Sequence, residues 1–81
     1  MNALNVRPCY RGGNLVALFD VAVSPDLTIH DLQLRYDTRG NYDCHSPSRR
    51  GRKACRLSPG LADVFRDLAI AAAEAEGVNI D

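Results

Sequence analysis

The only long stretch of this chain with helical periodicity lies near its C-terminal end. Leu61, Val64, Phe65, Leu68, Ala72 and Ala75 recur at spacings of three, four and seven and draw one apolar stripe. Ser58 is a good N-cap, Pro59 suits the first helical position and Gly77 suits a left-handed C-cap, so the spacing predicts one helix over 59–76. Asp63 stands near its start, where the helix dipole favours an acid. Val78 is placed to fold back on the last turn, and Ile70, on the far side from the stripe, is expected to be exposed or to contact a partner chain. Everything before Ser58 breaks into short alternating runs separated by Gly, Pro, Asp and Asn. That order restricts the chain to an α+β fold: a small, mainly antiparallel sheet of four to five strands followed by one long C-terminal helix packed on one face.

The strands read as follows. Leu4 to Tyr10 is a first strand with Leu4 and Val6 on one face, and Pro8 places it at a sheet edge or ends it. Arg11-Gly12-Gly13-Asn14 is a hairpin signal. Asn14 to Val23 is the clearest strand, with Leu15, Ala17, Phe19, Val21 and Val23 on one face and Val16, Leu18, Asp20 and Ala22 on the other. Apolar groups on both faces mark it as central or covered by a partner. Ser24-Pro25-Asp26 suits a type I turn. Leu27 to Tyr36 is a third strand whose alternation changes phase at His30-Asp31, as a β-bulge requires. Asp37-Thr38-Arg39-Gly40 is a second turn, and Asn41 to His45 a short polar edge strand. Ser46 to Lys53 reads as a loop, and Ala54 to Leu57 as a short fifth strand.

At 81 residues the chain is one small domain spanning 1–81. A domain of this size buries only about 60–65% of its unfolded surface, so association into a homodimer is an expected source of stability. The candidate dimer surfaces are the strand edges and the face carrying Val16 and Leu18. Ten basic and ten acidic residues cancel, which excludes a global basic field. No apolar run approaches the roughly 20 residues that span a bilayer, and no basic start followed by an apolar stretch opens the chain. A soluble, cytoplasmic protein with no membrane partner is the expectation. Cys9, Cys44 and Cys55 are odd in number and irregular in spacing, which suits free thiols better than a disulfide framework. A zinc site would draw on Cys9, Cys44, His45 and Cys55, but there is no CxxC pair, and Cys44 and His45 on one strand point to opposite faces. Neither a metal, nor another cofactor, nor a small-molecule substrate is called for.

The charge is nonetheless segregated. Arg49, Arg50, Arg52, Lys53 and Arg56 place five cations within eight residues with no acid between them, leaving the rest of the chain at net −5. Such a patch is a footprint for phosphates, and the arginine fork suits them. The competing reading is a solvated loop paired with Asp37, Asp43 or a helix carboxylate. Tyr42 and His45 flank the loop and could stack on bases, although packing is the more ordinary role for Tyr42.

The segment Ile29-His30-Asp31-Leu32-Gln33-Leu34 resembles the "vihdirv" stretch of the SpoVG (stage V sporulation protein G) family. Gly40 and Ser46-Pro47-Ser48-Arg49-Arg50 are similar to that family's glycine and its "mPSkR" loop. Gly13-Asn14-Leu15-Val16-Ala17 sits where the family has "dGrlrA", and Ser58-Pro59 resembles the "hP" before its helix. The resemblance covers about residues 4–76. The strand after the glycine, Asn41 to His45, is polar here where the family's is hydrophobic, and one residue is inserted before Pro47. The resemblance implies a small bacterial homodimer that binds DNA, and also RNA, and acts as a regulator.

Two other classes compete. A protein-interaction module would act through the sheet edge without nucleic acid. An enzyme is suggested by Cys44-His45-Ser46-Pro47-Ser48-Arg49-Arg50, which matches the C-x5-R spacing of cysteine phosphatases. Pro47 removes an amide from such a cradle and no general acid is evident, so a non-enzymatic protein is the expectation.

Overall fold

The computed structural model describes residues 1–9 and 13–78, Arg49 by its backbone only. The elements run β1 (Asn2–Pro8), β2 (Leu15–Ser24), β3 (Leu27–Tyr36), β4 (Tyr42–His45), β5 (Ser48–Arg49), β6 (Arg52–Lys53) and α1 (Pro59–Glu76). β1 to β4 form one antiparallel sheet in chain order, and β5 and β6 a separate two-stranded ribbon. This is the expected α+β arrangement, with β2 internal and β1 and β4 at the edges. No helix among the described residues is long and apolar enough to cross a membrane.

The helix is closed at both ends by its own sequence. Ser58 Oγ accepts from the Leu61 amide at 3.3 Å, and Gly77 takes φ 69°. The Val78 amide then donates to the Ala73 carbonyl at 2.8 Å, which draws Val78 onto the core. Phe65, Ala69 and Ala73 are buried at the centre of the helix face, with Leu61, Ala62, Leu68 and Ala72 packed around them. Two members of the expected stripe fall outside it: Val64 is 43% exposed and Ala75 is also exposed. Small alanines let the helix lie close to the sheet, so its buried centre follows Phe65, Ala69 and Ala73 rather than the largest side chains. Ile70, expected to be exposed, is half-buried and lines a cleft with Tyr42 and Arg66. Asp63 lies beyond the first turn and pairs with Arg66 at 3.3 Å instead.

The sheet's core face carries Val6, Ala17, Phe19, Val21, Leu32, Leu34 and Cys44. Its register shifts repeatedly. Asn5 and Val6 both lie opposite Phe19, so Leu4 pairs with Asp20 on the far face while Val6 enters the core. Leu4 and Val6 therefore do not share a face. Val16 is likewise an extra residue: Leu15 pairs with Arg35 and Ala17 with Leu34, which turns Val16 toward the core and Leu15 away. The expected change of phase in β3 is present, with His30 and Asp31 both lying opposite Asp20, between the pairs Val21–Ile29 and Phe19–Leu32.

β1 ends at Pro8, short of the expected Tyr10; the turn residues 10–12 lie outside the described residues. Asp37 Oδ1 accepts from the amides of Arg39 (2.8 Å) and Asn41 (2.9 Å) and closes the β3–β4 turn. The Tyr36 and Tyr42 rings then meet edge-to-face at 4.9 Å. No strand forms at Ala54 to Leu57. The short strands lie earlier, inside the segment read as a loop, because Arg50 (φ 53°) and Gly51 (φ 78°) make a two-residue turn of left-handed residues.

A candidate nucleic-acid interface

The five cations of the basic segment are gathered on the β5–β6 ribbon and just beyond it. Arg49 and Arg52 are cross-strand partners, as are Ser48 and Lys53. Arg50 stands at the tip, and Arg56 follows the ribbon; Arg50, Arg52, Lys53 and Arg56 are all exposed. The base of the ribbon is tied by the Ala54 amide donating to the Pro47 carbonyl at 2.7 Å.

Most carboxylates that could have neutralised these cations are engaged elsewhere; Asp43, opposite Arg35 across the β3–β4 pair, forms no ion pair among the described residues. Asp37 is held by its own turn. Asp63 and Asp67 both meet Arg66, at 3.3 and 3.0 Å. Asp20 and Asp31 meet Arg7, at 3.2 and 2.7 Å. Among the described residues, none of Arg50, Arg52, Lys53 and Arg56 forms an ion pair. The ribbon thus presents exposed cations without an ion-pair partner among the described residues.

A second group lies beside it on the sheet face opposite α1, and the linear charge count missed it. Arg35 of β3 donates from Nε and Nη2 to Gln33 Oε1 at 3.0 and 2.6 Å. Gln33 is the cross-strand partner of His45, and its Nε2 reaches Ser48 Oγ at 3.5 Å. The imidazole of His45 is held below its ordinary value, first by partial burial, then by Arg35 and Lys53, with Asp43 opposing them. Period-two spacing of Gln33 and Arg35 was the available signal, but only pairing with β4 shows what they face. Tyr42, the other suggested stacking residue, is half-buried and packs on the core side against Tyr36.

Cys44 is buried on the core face, and burial followed by the neighbouring Cys55 thiol pushes it up to about 12. A phosphatase nucleophile needs the reverse, a stabilised thiolate. The C-x5-R segment also runs through β4, β5 and the tip of the ribbon instead of wrapping around an anion. Cys44 pairs with Leu34 and His45 with Gln33, so the two point to opposite faces. Among the described residues no three His, Cys, Asp or Glu side chains are grouped to hold a metal ion.

The remaining polar centre is Asp20, 4% exposed between the two bulges. Its Oδ1 accepts from the Asp31 amide at 3.0 Å and from Arg7 at 3.2 Å; its Oδ2 accepts from Asn5 at 3.2 Å and faces His30 Nδ1 at 3.2 Å. Asn5 (φ 54°) and Asp31 (φ 61°) are both left-handed, a conformation that non-glycine residues adopt at a cost. Burial alone would raise the Asp20 carboxyl, but the Asp31 amide, Arg7, Asn5 and His30 outweigh it and bring it down to about 2. Its partners lie on the two flanking strands, β1 and β3, so no local motif announced it.

Comparisons with protein-family models, with curated proteins and with solved structures return no match.

Proposed function

We propose that this protein binds DNA or RNA through the β5–β6 ribbon, with Arg49, Arg50, Arg52, Lys53 and Arg56 contacting phosphates, and that it serves as a regulatory protein in the bacterial cytoplasm. The observation that carries this reading is the set of exposed ribbon cations without an acidic partner among the described residues, on a chain whose net charge is zero. The resemblance to the SpoVG family points the same way. If four or five phosphates of duplex DNA are neutralised, log K should fall against log salt with a slope near about −4. Arg49→Ala with Arg50→Ala should weaken binding to all sequences alike and flatten that slope by roughly one per lost contact. A titration of single- and double-stranded oligonucleotides at two salt concentrations reads both. A double variant that binds like the parent, or a parent without salt-dependent binding, removes the reading and leaves the protein-interaction module in its place.

The same proposal takes the chain as a homodimer joined at strand edges. With Val16 turned to the core, the face opposite α1 retains Leu4, Leu15 and Leu18, all half-buried, so that face has less apolar surface to cover than the alternation suggests. Sedimentation at high micromolar concentration should show twice the chain mass; a clean monomer counts against it.

A further inference from the structure

We propose that Arg35, His45 and Lys53, framed by Gln33 and Ser48, form a phosphate-binding subsite on the sheet face opposite α1, occupied by the backbone of a bound nucleic acid. This rests on the nucleic-acid reading and adds to the exposed ribbon a seat built on the rigid sheet. The Gln33–His45 pair of the sheet and the Ser48–Lys53 pair of the ribbon are bridged by Gln33 Nε2 and Ser48 Oγ at 3.5 Å. Arg35 is already oriented: two of its N–H groups are held by Gln33 Oε1, at 3.0 and 2.6 Å. A guanidinium has five N–H donors in a fixed fork, so others remain for an anion, and a fixed fork loses little freedom on binding. Lys53 supplies a second positive charge.

The charged groups acting on His45 are Arg35 from β3, Asp43 from its own strand and Lys53 from β6. The two cations disfavour the imidazolium, and Asp43 favours it. A phosphate seated between those cations adds negative charge beside the ring and raises its proton affinity. Binding then takes up a proton and tightens as the pH falls through the titration range of His45. A rise of about one pH unit corresponds to about tenfold in affinity across that range.

The test is an NMR titration of both imidazoles in the intact protein, free and saturated with a mixed-sequence single-stranded oligonucleotide. His45 should titrate about one unit higher in the complex than in the free protein. Arg35→Gln should lower affinity by about tenfold, and His45→Gln should abolish the pH dependence. The parent titration needs no variant, so a misfolded Arg35→Gln protein does not remove the test. An unmoved His45 in a complex that still depends on salt and on Arg49 and Arg50 would overturn the subsite and leave the ribbon reading standing. A parent that binds no oligonucleotide removes both. Inorganic phosphate as competitor separates the two sources of the anion: it should displace the oligonucleotide from His45 only at far higher concentration. Saturation of His45 by inorganic phosphate without competition from the oligonucleotide would overturn the assignment to a nucleic-acid backbone.

Discussion

Asp20→Ala is expected to destabilise the protein by about 3 kcal/mol, the scale of removing a buried carboxylate that accepts charge-assisted hydrogen bonds. The variant leaves the Asp31 amide without its 3.0 Å acceptor and releases Asn5 and Arg7 from the same side chain. Both bulges are then held by the sheet alone, with two non-glycine residues still left-handed. Arg7→Ala should cost less, because the Arg7 side chain is already 40% exposed and its loss leaves Asp20 three other partners. The pH dependence follows from the direction of the shift. The folded carboxyl sits at about 2, against an ordinary value of 3.8, so this contribution is complete above 3.8 and is lost as the pH falls through about 2. It amounts to about 2 kcal/mol and should be missing from the acid limb of the Asp20→Ala stability profile. Urea unfolding from mildly acidic to strongly acidic pH measures both. Parent-like stability of the variant at neutral pH would show that the bulges do not depend on Asp20.

Phe65→Ala is expected to cost roughly 3–5 kcal/mol, a large share of the total stability of a small domain. Phe65 is fully buried under the sheet, among the largest side chains with no exposed surface. Val64→Ala, one residue away, should change stability by less than about 0.5 kcal/mol, because Val64 projects from the uncovered side of the helix. The pair separates burial from helix propensity, since both replacements introduce the same residue. Thermal and urea midpoints that fall for Val64→Ala as much as for Phe65→Ala would place the helix in a different rotation on the sheet.

Elements closed by neighbours in the chain were legible without a fold. The Ser58 cap, Pro59 at the first turn and Gly77 at the end act within a few residues of the groups they satisfy, and the helix runs where they place it. The phase change at His30-Asp31 was legible for a related reason: the apolar residues on either side of it had to return to one core. The bulges at Asn5-Val6 and Val16 were not, because an extra residue leaves the local pattern intact and shows itself only against a partner strand. That is why Leu4 and Leu15 were placed on the wrong face.

The candidate site divides in the same way. The segregated cations of Arg49 to Arg56 are contiguous, so charge counting finds them. Their separation from Asp37, Asp63 and Asp67, the fork of Arg35 fixed on Gln33, and the meeting of Asn5, Arg7 and His30 on Asp20 all join residues from different parts of the chain. By itself, then, the sequence determined the helix, the four strands of the main sheet and where the positive charge is concentrated, since backbone propensity and capping act over one turn or one hairpin. Which faces meet, which carboxylates are already taken and which cations are left without an acidic partner among the described residues were decided by the tertiary structure, because hydrogen bonds and short-range ion pairs depend on distances that only strand pairing sets.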